Sequence, residues 1–113
     1  MTTIKIIKRN SNIIEVDACG HSGYADYGKD IVCAAISAII QTACLGVEKQ
    51  IGKNAKIKID ENQGKLNLKI AEISDKNKIN NVNIILETMV LGLKDIAKSN
   101  KKYVKLEEED EIY

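Results

Sequence analysis

The apolar residues of this chain follow two different periods in turn, and the order of these periods restricts the fold more than any other feature. Four segments alternate apolar and polar side chains, as in a β-strand with one buried face. These segments are residues 3–8, 12–20, 55–59 and 66–70. Residues 30–51 and 75–99 instead place apolar side chains three and four positions apart, which is the spacing of one helix face. Residues 102–106 are predicted to form a short closing strand.

The predicted order ββαββαβ indicates an α+β domain. Turn-forming residues separate the strands of each pair, Asn10 and Ser11 in the first and residues 62–64 in the second, so each pair is predicted to be a hairpin. Because every strand alternates and none is continuously apolar, we expect an antiparallel sheet of about five strands with one face in water. The two helices are predicted to cover the other face.

Length and composition favour a single globular domain over residues 1–113. The chain has the usual size of one small domain, and it is 44% hydrophobic and 29% charged. It has no run of 18 apolar residues, so a membrane-spanning helix is not expected, and its first ten residues lack the apolar block of a secretory signal. Three cysteines cannot all pair within one chain. Reduced thiols in the cytoplasm are therefore expected.

Charge is balanced over the whole chain but unevenly distributed along it. The chain has 17 basic and 16 acidic side chains, a net charge of +1, which gives no field strong enough to hold a nucleic acid directly. Residues 107–113 contain five of the acidic side chains and no basic one, so the rest of the chain is mildly basic. We expect this acidic tail to be a solvated and frayed C-terminus. The alternative is that it holds a basic partner.

The residues best suited to chemistry lie where the second strand is joined to the first helix. Residues 20–30 hold the only histidine, His21, and three of the seven glycines. If Asp30 caps the helix, Cys33 is its third residue, where free backbone N–H groups and the helix dipole favour a thiolate. A cysteine and a histidine that meet across this segment are the minimum for cysteine nucleophilic catalysis. The alternative is a small buried cysteine and an ordinary surface histidine.

Other kinds of site have less support in the sequence. Cys44, within the first helix, and Cys19, within the second strand, fit small structural residues. Cys19 and His21 could hold a metal together with another cysteine, but no C-x-x-C pair or other common zinc spacing occurs. The chain also has no phosphate-binding loop, dinucleotide fingerprint or G-x-S-x-G elbow. We therefore expect neither a metal nor a cofactor.

Two short stretches around this segment carry a family signature. They are Gly20-His21-Ser22 and, at residues 28–37, GKDIVCAAIS. This signature resembles that of the bacterial ribosomal-processing cysteine protease family, Prp, and chain length and element order are also similar to that family. The resemblance implies a cytoplasmic, homodimeric endopeptidase that removes a short N-terminal extension from the twenty-seventh protein of the large ribosomal subunit. It also implies that Cys33 is the nucleophile and His21 the base, with Asp30 and Ser37 at the remaining polar positions of the signature.

Further roles follow from the chemistry that this resemblance requires. An extended peptide with apolar residues before the scissile bond could lie beside the two tyrosines of the connecting segment. The predicted substrate-binding residues are Ser22, Gly23, Tyr24, Tyr27 and Gly28. Backbone N–H groups near Cys33 and around residues 20–23 are the candidate donors to the oxyanion. The alternative function is a non-catalytic, ribosome-associated interaction domain whose cysteines only fill the core.

Overall fold

The computed structural model describes residues 1–21 and 30–111 of the chain. Within these residues it contains five strands, two α-helices and one short 3-10 turn. The strands are β1 (Thr2–Arg9), β2 (Asn12–Cys19), β3 (Ala55–Asp60), β4 (Lys65–Ile70) and β5 (Val104–Asp110). The helices are α1 (Ile31–Ile51) and α2 (Lys76–Ser99), and the 3-10 turn Gly52–Asn54 follows α1. The predicted order ββαββαβ and the α+β class are confirmed.

The five strands form one mixed sheet in the order β3-β4-β2-β1-β5. The two predicted hairpins are present, and β2 pairs with β4 in the antiparallel direction as well. The expectation of a wholly antiparallel sheet is wrong at β5, which pairs with β1 in the parallel direction. The reason is the crossover through α2, because a helix that packs back along the sheet lets the next strand start in the same direction as the previous one.

One face of the sheet forms the core together with both helices. Inward-facing residues of neighbouring strands are aligned, with Ile4 opposite Ala18 and Ala18 opposite Leu66. In the next row Ile6 is opposite Val16. The helices supply the apolar side chains that cover these rows. They include Val32, Ile36, Ile40, Val47, Val82, Leu86 and Leu93, all buried. Burial of each such side chain contributes about 1.5–3 kcal/mol.

The two helices begin at aspartate caps and pack against each other through glycines. The side chain of Asp30 caps α1, as predicted, and the side chain of Asp75 caps α2 by accepting hydrogen bonds from two backbone N–H groups. Gly46 of α1 faces the side chain of Ile85, where an added Cβ would lie 3.4 Å from its Cδ1 atom. The missing side chain therefore allows the close approach of the helices.

By length and composition alone, α1 and the turn after it are apolar enough to cross a membrane. The core helix of a soluble protein can have the same length and apolar composition. Here the apolar face of α1 is part of the hydrophobic core, with Val32, Ile40 and Val47 among its buried residues. This packing accounts for the buried part of α1, whereas Ile31 and Leu45 on the same helix are exposed.

The other face of the sheet carries charged and polar side chains in cross-strand rows. Lys5 on β1 is opposite Asp17 on β2, and Asp17 is opposite Asn67 on β4. The side-chain amide of Asn67 donates hydrogen bonds to Asp17 Oδ1 at 3.0 Å and to Glu15 Oε2 at 2.9 Å. The prediction that this face is polar is confirmed. The site described below lies on the other side of the sheet, next to α1.

The acidic C-terminal segment is ordered further than expected. The closing strand was predicted to end at residue 106, but β5 continues to Asp110 and pairs with β1 along its length. Two basic residues of β1 hold the segment. Arg9 makes a two-point ion pair with Glu111, and Lys8 Nζ lies 3.7 Å from Glu108 Oε1 and 3.3 Å from Glu87 Oε1. Burial alone would lower the pKa of Lys8, but the two carboxylates outweigh it and raise that pKa.

Candidate active site

A cleft of about 310 Å³ opens where three parts of the fold meet. They are the end of β2, the first turns of α1 and the turn between β3 and β4. Four of the residues singled out from the sequence line this cleft: His21, Asp30, Cys33 and Ser37. The predicted substrate-binding residues Ser22, Gly23, Tyr24, Tyr27 and Gly28 lie outside the described residues.

Cys33 is held at the N-terminus of α1 by the helix cap. Asp30, itself buried, takes extended backbone angles, and its Oδ1 atom accepts a hydrogen bond from the backbone N–H of Cys33 at 2.9 Å. Cys33 is thus the third helical residue, as the spacing predicts, and its side chain is partly exposed in the cleft. This end of a helix favours a negative charge on a thiol.

His21 reaches the same cleft from the sheet. It follows the last residue of β2 by two positions, and its Nδ1 atom lies 4.0 Å from Cys33 Sγ. Gly20 makes this approach possible, since its φ of +90° is rare for any other residue and an added Cβ would lie 2.6 Å from the carbonyl oxygen of Met1. The structure therefore brings the predicted pair together.

The predicted oxyanion donors are not all available in this structure. The N–H of Cys33 donates to the Asp30 side chain, and the N–H of Ala34 donates to the Asp30 backbone carbonyl at 3.0 Å. These two groups satisfy the helix start and do not point to the cleft as free donors. The other N–H groups of the helix start, and those around residues 20–23, stay predicted donors to the oxyanion.

Ser37 lies one turn after Cys33 and makes a contact that the sequence did not suggest. Its hydroxyl oxygen accepts a hydrogen bond from Gln41 Nε2 at 2.6 Å, and both side chains line the cleft. The pair forms a polar strip along α1 beside the thiol.

The β3–β4 hairpin completes the cleft. No site residue is predicted in this hairpin from the sequence. Ile59 of β3 is 47% exposed, although it lies on the helix-covered side opposite Leu66. It forms an apolar wall with Ile36 and Ile40, while the carboxylates of Asp60 and Glu61 lie at the same end of the hairpin. The sequence pattern does not place these residues near His21, because their closeness depends on the pairing of β4 with β2.

The other two cysteines lie outside the residues that line this cleft. Cys44 is buried in the core, and burial, with the nearby charge of Glu48, raises the pKa of its thiol to about 11. Cys19 is exposed and lies opposite Thr3 and Lys65 on the polar face of the sheet. Among the described residues, no three His, Cys, Asp or Glu side chains are grouped closely enough to hold a metal ion.

Known proteins resemble this chain over most of its length. Two relatives, both described as ribosomal processing cysteine protease Prp, come from Bacillus subtilis (strain 168) and Staphylococcus aureus (strain NCTC 8325 / PS 47). The first is 25% identical over 92 residues, covering 81% of this chain and 82% of the relative. The second is 24% identical over 107 residues, covering 94% of this chain and 97% of the relative.

Solved structures share the fold. Prp from S. aureus with a covalently linked product peptide superposes with a TM-score of 0.82 at 24% identity, covering 96% of this chain and 99% of the other. SMU.848 from Streptococcus mutans gives a TM-score of 0.81 at 25% identity, covering 98% and 96%. The family model for cysteine protease Prp matches residues 1–105. The chain therefore belongs to the Prp family of cysteine proteases.

Proposed function

We propose that this chain is a cytoplasmic endopeptidase that removes the N-terminal extension of a large-subunit ribosomal protein, the bacterial twenty-seventh. The observation that carries the proposal is the pair formed by Cys33 Sγ and His21 Nδ1, 4.0 Å apart in an open cleft. The names of the relatives, which describe ribosomal processing, support it. The S. aureus structures with a product peptide and a substrate peptide support a peptide as the partner. The proposed reaction uses no metal or cofactor.

The proposed reaction is nucleophilic and proceeds in two halves. His21 Nδ1 takes the thiol proton of Cys33 as Sγ attacks the carbonyl carbon of the scissile bond. The imidazolium then gives this proton to the leaving amine, the C–N bond breaks, and the acyl half remains on Sγ as a thioester. Water attacks the thioester, and His21 takes a proton from this water and returns it to sulfur. In enzymes without substrate the nucleophile and base are often farther apart than a normal hydrogen bond.

Asp30 and Ser37 are proposed as supporting residues. The hydrogen bond from the Cys33 N–H to Asp30 fixes the backbone that carries the nucleophile. Ser37 and Gln41 present hydroxyl and amide groups along α1, where a peptide backbone could bond to them. We also propose that Asp30 helps to orient His21, which its position between the two elements allows.

The proposed substrate is an extended peptide with apolar residues before the scissile bond. Ile36, Ile40 and Ile59 give the cleft an apolar wall suited to such a side chain. Tyr24 and Tyr27 stay predicted contacts for the flanking apolar residues. Binding of this kind would combine backbone hydrogen bonds with one buried apolar anchor.

The direct test is cleavage of a peptide that spans the extension of the organism's own ribosomal protein, compared with a scrambled peptide. The proposal predicts cleavage of the first at one bond, slower or no cleavage of the second, and no turnover by Cys33→Ala. Cys44→Ala is the matched control, since Cys44 is a second cysteine of α1 and lies in the core. Equal cleavage of the two peptides, or turnover by Cys33→Ala, would contradict the proposal. No cleavage by the wild-type chain would favour the non-catalytic interaction domain.

A further inference from the structure

The turn between β3 and β4 lies directly against the ring of His21. Gly64, in this turn, has a φ of +61°. A Cβ atom built on Gly64 would lie 3.1 Å from both Cε1 and Nε2 of His21, and also 3.1 Å from the carbonyl carbon of Gly20. Carbon atoms that are not bonded are most favourably separated by about 3.5–4.0 Å. A side chain at residue 64 therefore requires the imidazole, and with it the backbone of Gly20, to shift by a few tenths of an ångström.

The same turn fixes the backbone from which His21 projects. The N–H of Gly20 donates a hydrogen bond to the carbonyl oxygen of Gly64 at 2.9 Å. The carbonyl of Gly20 accepts a hydrogen bond from Thr2 Oγ1 at 3.2 Å, and Thr2 is buried. Gly20 is thus bonded on both sides, once to β1 and once to the β3–β4 turn. These bonds hold the chain at the point where it leaves the sheet.

We propose that Gly64 is a positioning residue for His21. The inference rests on the proposed function, in which His21 is the base for Cys33. Nδ1 of the ring faces the thiol, while Cε1 and Nε2 lie where a Cβ atom on Gly64 would contact them, so a side chain in this turn would change the distance between base and nucleophile. Because proton transfer is sensitive to displacements below 1 Å, a methyl group at residue 64 lowers the rate without touching substrate.

If Gly64 were needed only for its positive φ, its substitution should act like a substitution at any other glycine of similar φ. Gly52 provides this matched control. Gly52 has a φ of +58°, close to that of Gly64, but a Cβ atom there would have no atom within 4 Å. Gly52→Ala therefore introduces backbone strain without any new contact. Gly64→Ala introduces strain and also the contact with His21. Gly64→Asn is a second variant, since asparagine tolerates positive φ better than alanine but still carries the Cβ atom.

The main readout is the pH profile of Cys33 alkylation by iodoacetamide. It is followed in a Cys19→Ser background, because Cys19 is exposed and would also react. We expect Gly64→Ala and Gly64→Asn to move the profile towards that of His21→Ala, and Gly52→Ala to leave it unchanged. For cleavage of the extension peptide, we expect kcat to fall at least about tenfold with KM nearly constant in the Gly64 variants.

Two results would overturn the inference in distinguishable ways. A Gly64→Ala or Gly64→Asn profile that matches wild type would show that the turn does not set the position of His21, and the proposed function would stand. A His21→Ala profile that matches wild type would refute His21 as the base, and the role of Gly64 would fall with it. Thermal unfolding of each variant checks that the measured protein is folded.

Discussion

Cys33 and Cys44 lie eleven residues apart on α1, yet their thiols have very different surroundings. Cys33 lies in the cleft beside His21, whereas Cys44 is 4% exposed within the core. The sequence separates the two through position alone, since only Cys33 is near the helix start and the glycine-containing segment. The reactivity of the two thiols should therefore differ, because one lies in the cleft beside an imidazole and the other is buried.

We predict that Cys44 resists alkylation in the folded protein. Burial raises the pKa of its thiol to about 11 and also denies access to the reagent. Mass spectrometry that locates each alkylated residue at pH 8 should find Cys33 and Cys19 modified and Cys44 unmodified until the protein is unfolded. The Cys44 thiol has a pKa near 9 in the unfolded chain and about 11 in the folded protein. The free energy of unfolding that the buried thiol contributes is therefore lost as the pH rises from about 9 to 11. The Cys44→Ala variant should lack this loss.

We predict that His21→Ala changes the alkylation of Cys33 more than any other substitution outside Cys33 itself. The reason is that the described residues around the thiol contain one imidazole, with its Nδ1 atom 4.0 Å away. In wild type the rate should depend on both side chains, and in His21→Ala on the thiol alone. Identical profiles would show that the histidine does not tune the thiol.

At the scale of single elements, the ends of both helices follow from the sequence with little error. The cap Asp30 is predicted by its residue type before an apolar periodic segment, and Asp30 and Asp75 both accept backbone hydrogen bonds. The end of β5 was not predictable in this way. Its acidic residues look like a solvated tail by composition, and only the neighbouring basic residues Lys8 and Arg9 show why they can pair.

The two caps allow a matched test of the link between α1 and the site. Asp30→Ala and Asp75→Ala each remove one helix cap, so each should lower the free energy of unfolding by about 1 kcal/mol. Only Asp30→Ala frees the backbone that carries Cys33. We therefore expect peptide cleavage to fall about tenfold or more in Asp30→Ala and to stay near wild type in Asp75→Ala. Equal activities would mean that the Asp30 cap only stabilises the fold.

Removal of the acidic segment should destabilise the protein. Truncation after residue 106 deletes four cross-strand pairs with β1, between Lys5 and Glu107 and onwards to Lys8 and Asp110. It also removes the ion pair of Lys8 with Glu108 and that of Arg9 with Glu111. With a few tenths of a kcal/mol for each cross-strand pair, we expect a loss of about 2 kcal/mol in chemical denaturation. An unchanged midpoint would support the frayed tail that composition suggests.

At the scale of the whole molecule, the two-layer architecture was predictable and the strand order was not. Alternation within each strand gives the buried and the wet face, because it depends only on residues close in sequence. Which strands become neighbours depends on contacts between distant segments. For the same reason Cys33 and His21 could be named as candidates from their places near the start of α1 and from the family signature, but Gly64 and Ile59 could not. Their closeness to the site follows from the pairing of β2 with β4.

The assembly of the whole molecule remains a prediction. We predict a homodimer, as the family resemblance implies, and exposed apolar side chains of the helix layer support it. Within the described residues they include Ile31 and Leu45 on α1 and Ile84 and Leu91 on α2, each at least 65% exposed. Light scattering at micromolar concentration should give twice the chain mass of 12.5 kDa. A stable monomer mass would refute the homodimer.

The proposed mechanism requires that Cys33 is acylated by the N-terminal part of the substrate. Mass spectrometry of the protein, after brief mixing with the extension peptide and quenching in acid, detects this intermediate. We expect a mass increase equal to the acyl half of the peptide, located on Cys33 and absent in Cys33→Ala. In His21→Ala the adduct should form much more slowly. An adduct on Cys19 or Cys44, or cleavage of the peptide by Cys33→Ala, would refute Cys33 as the nucleophile.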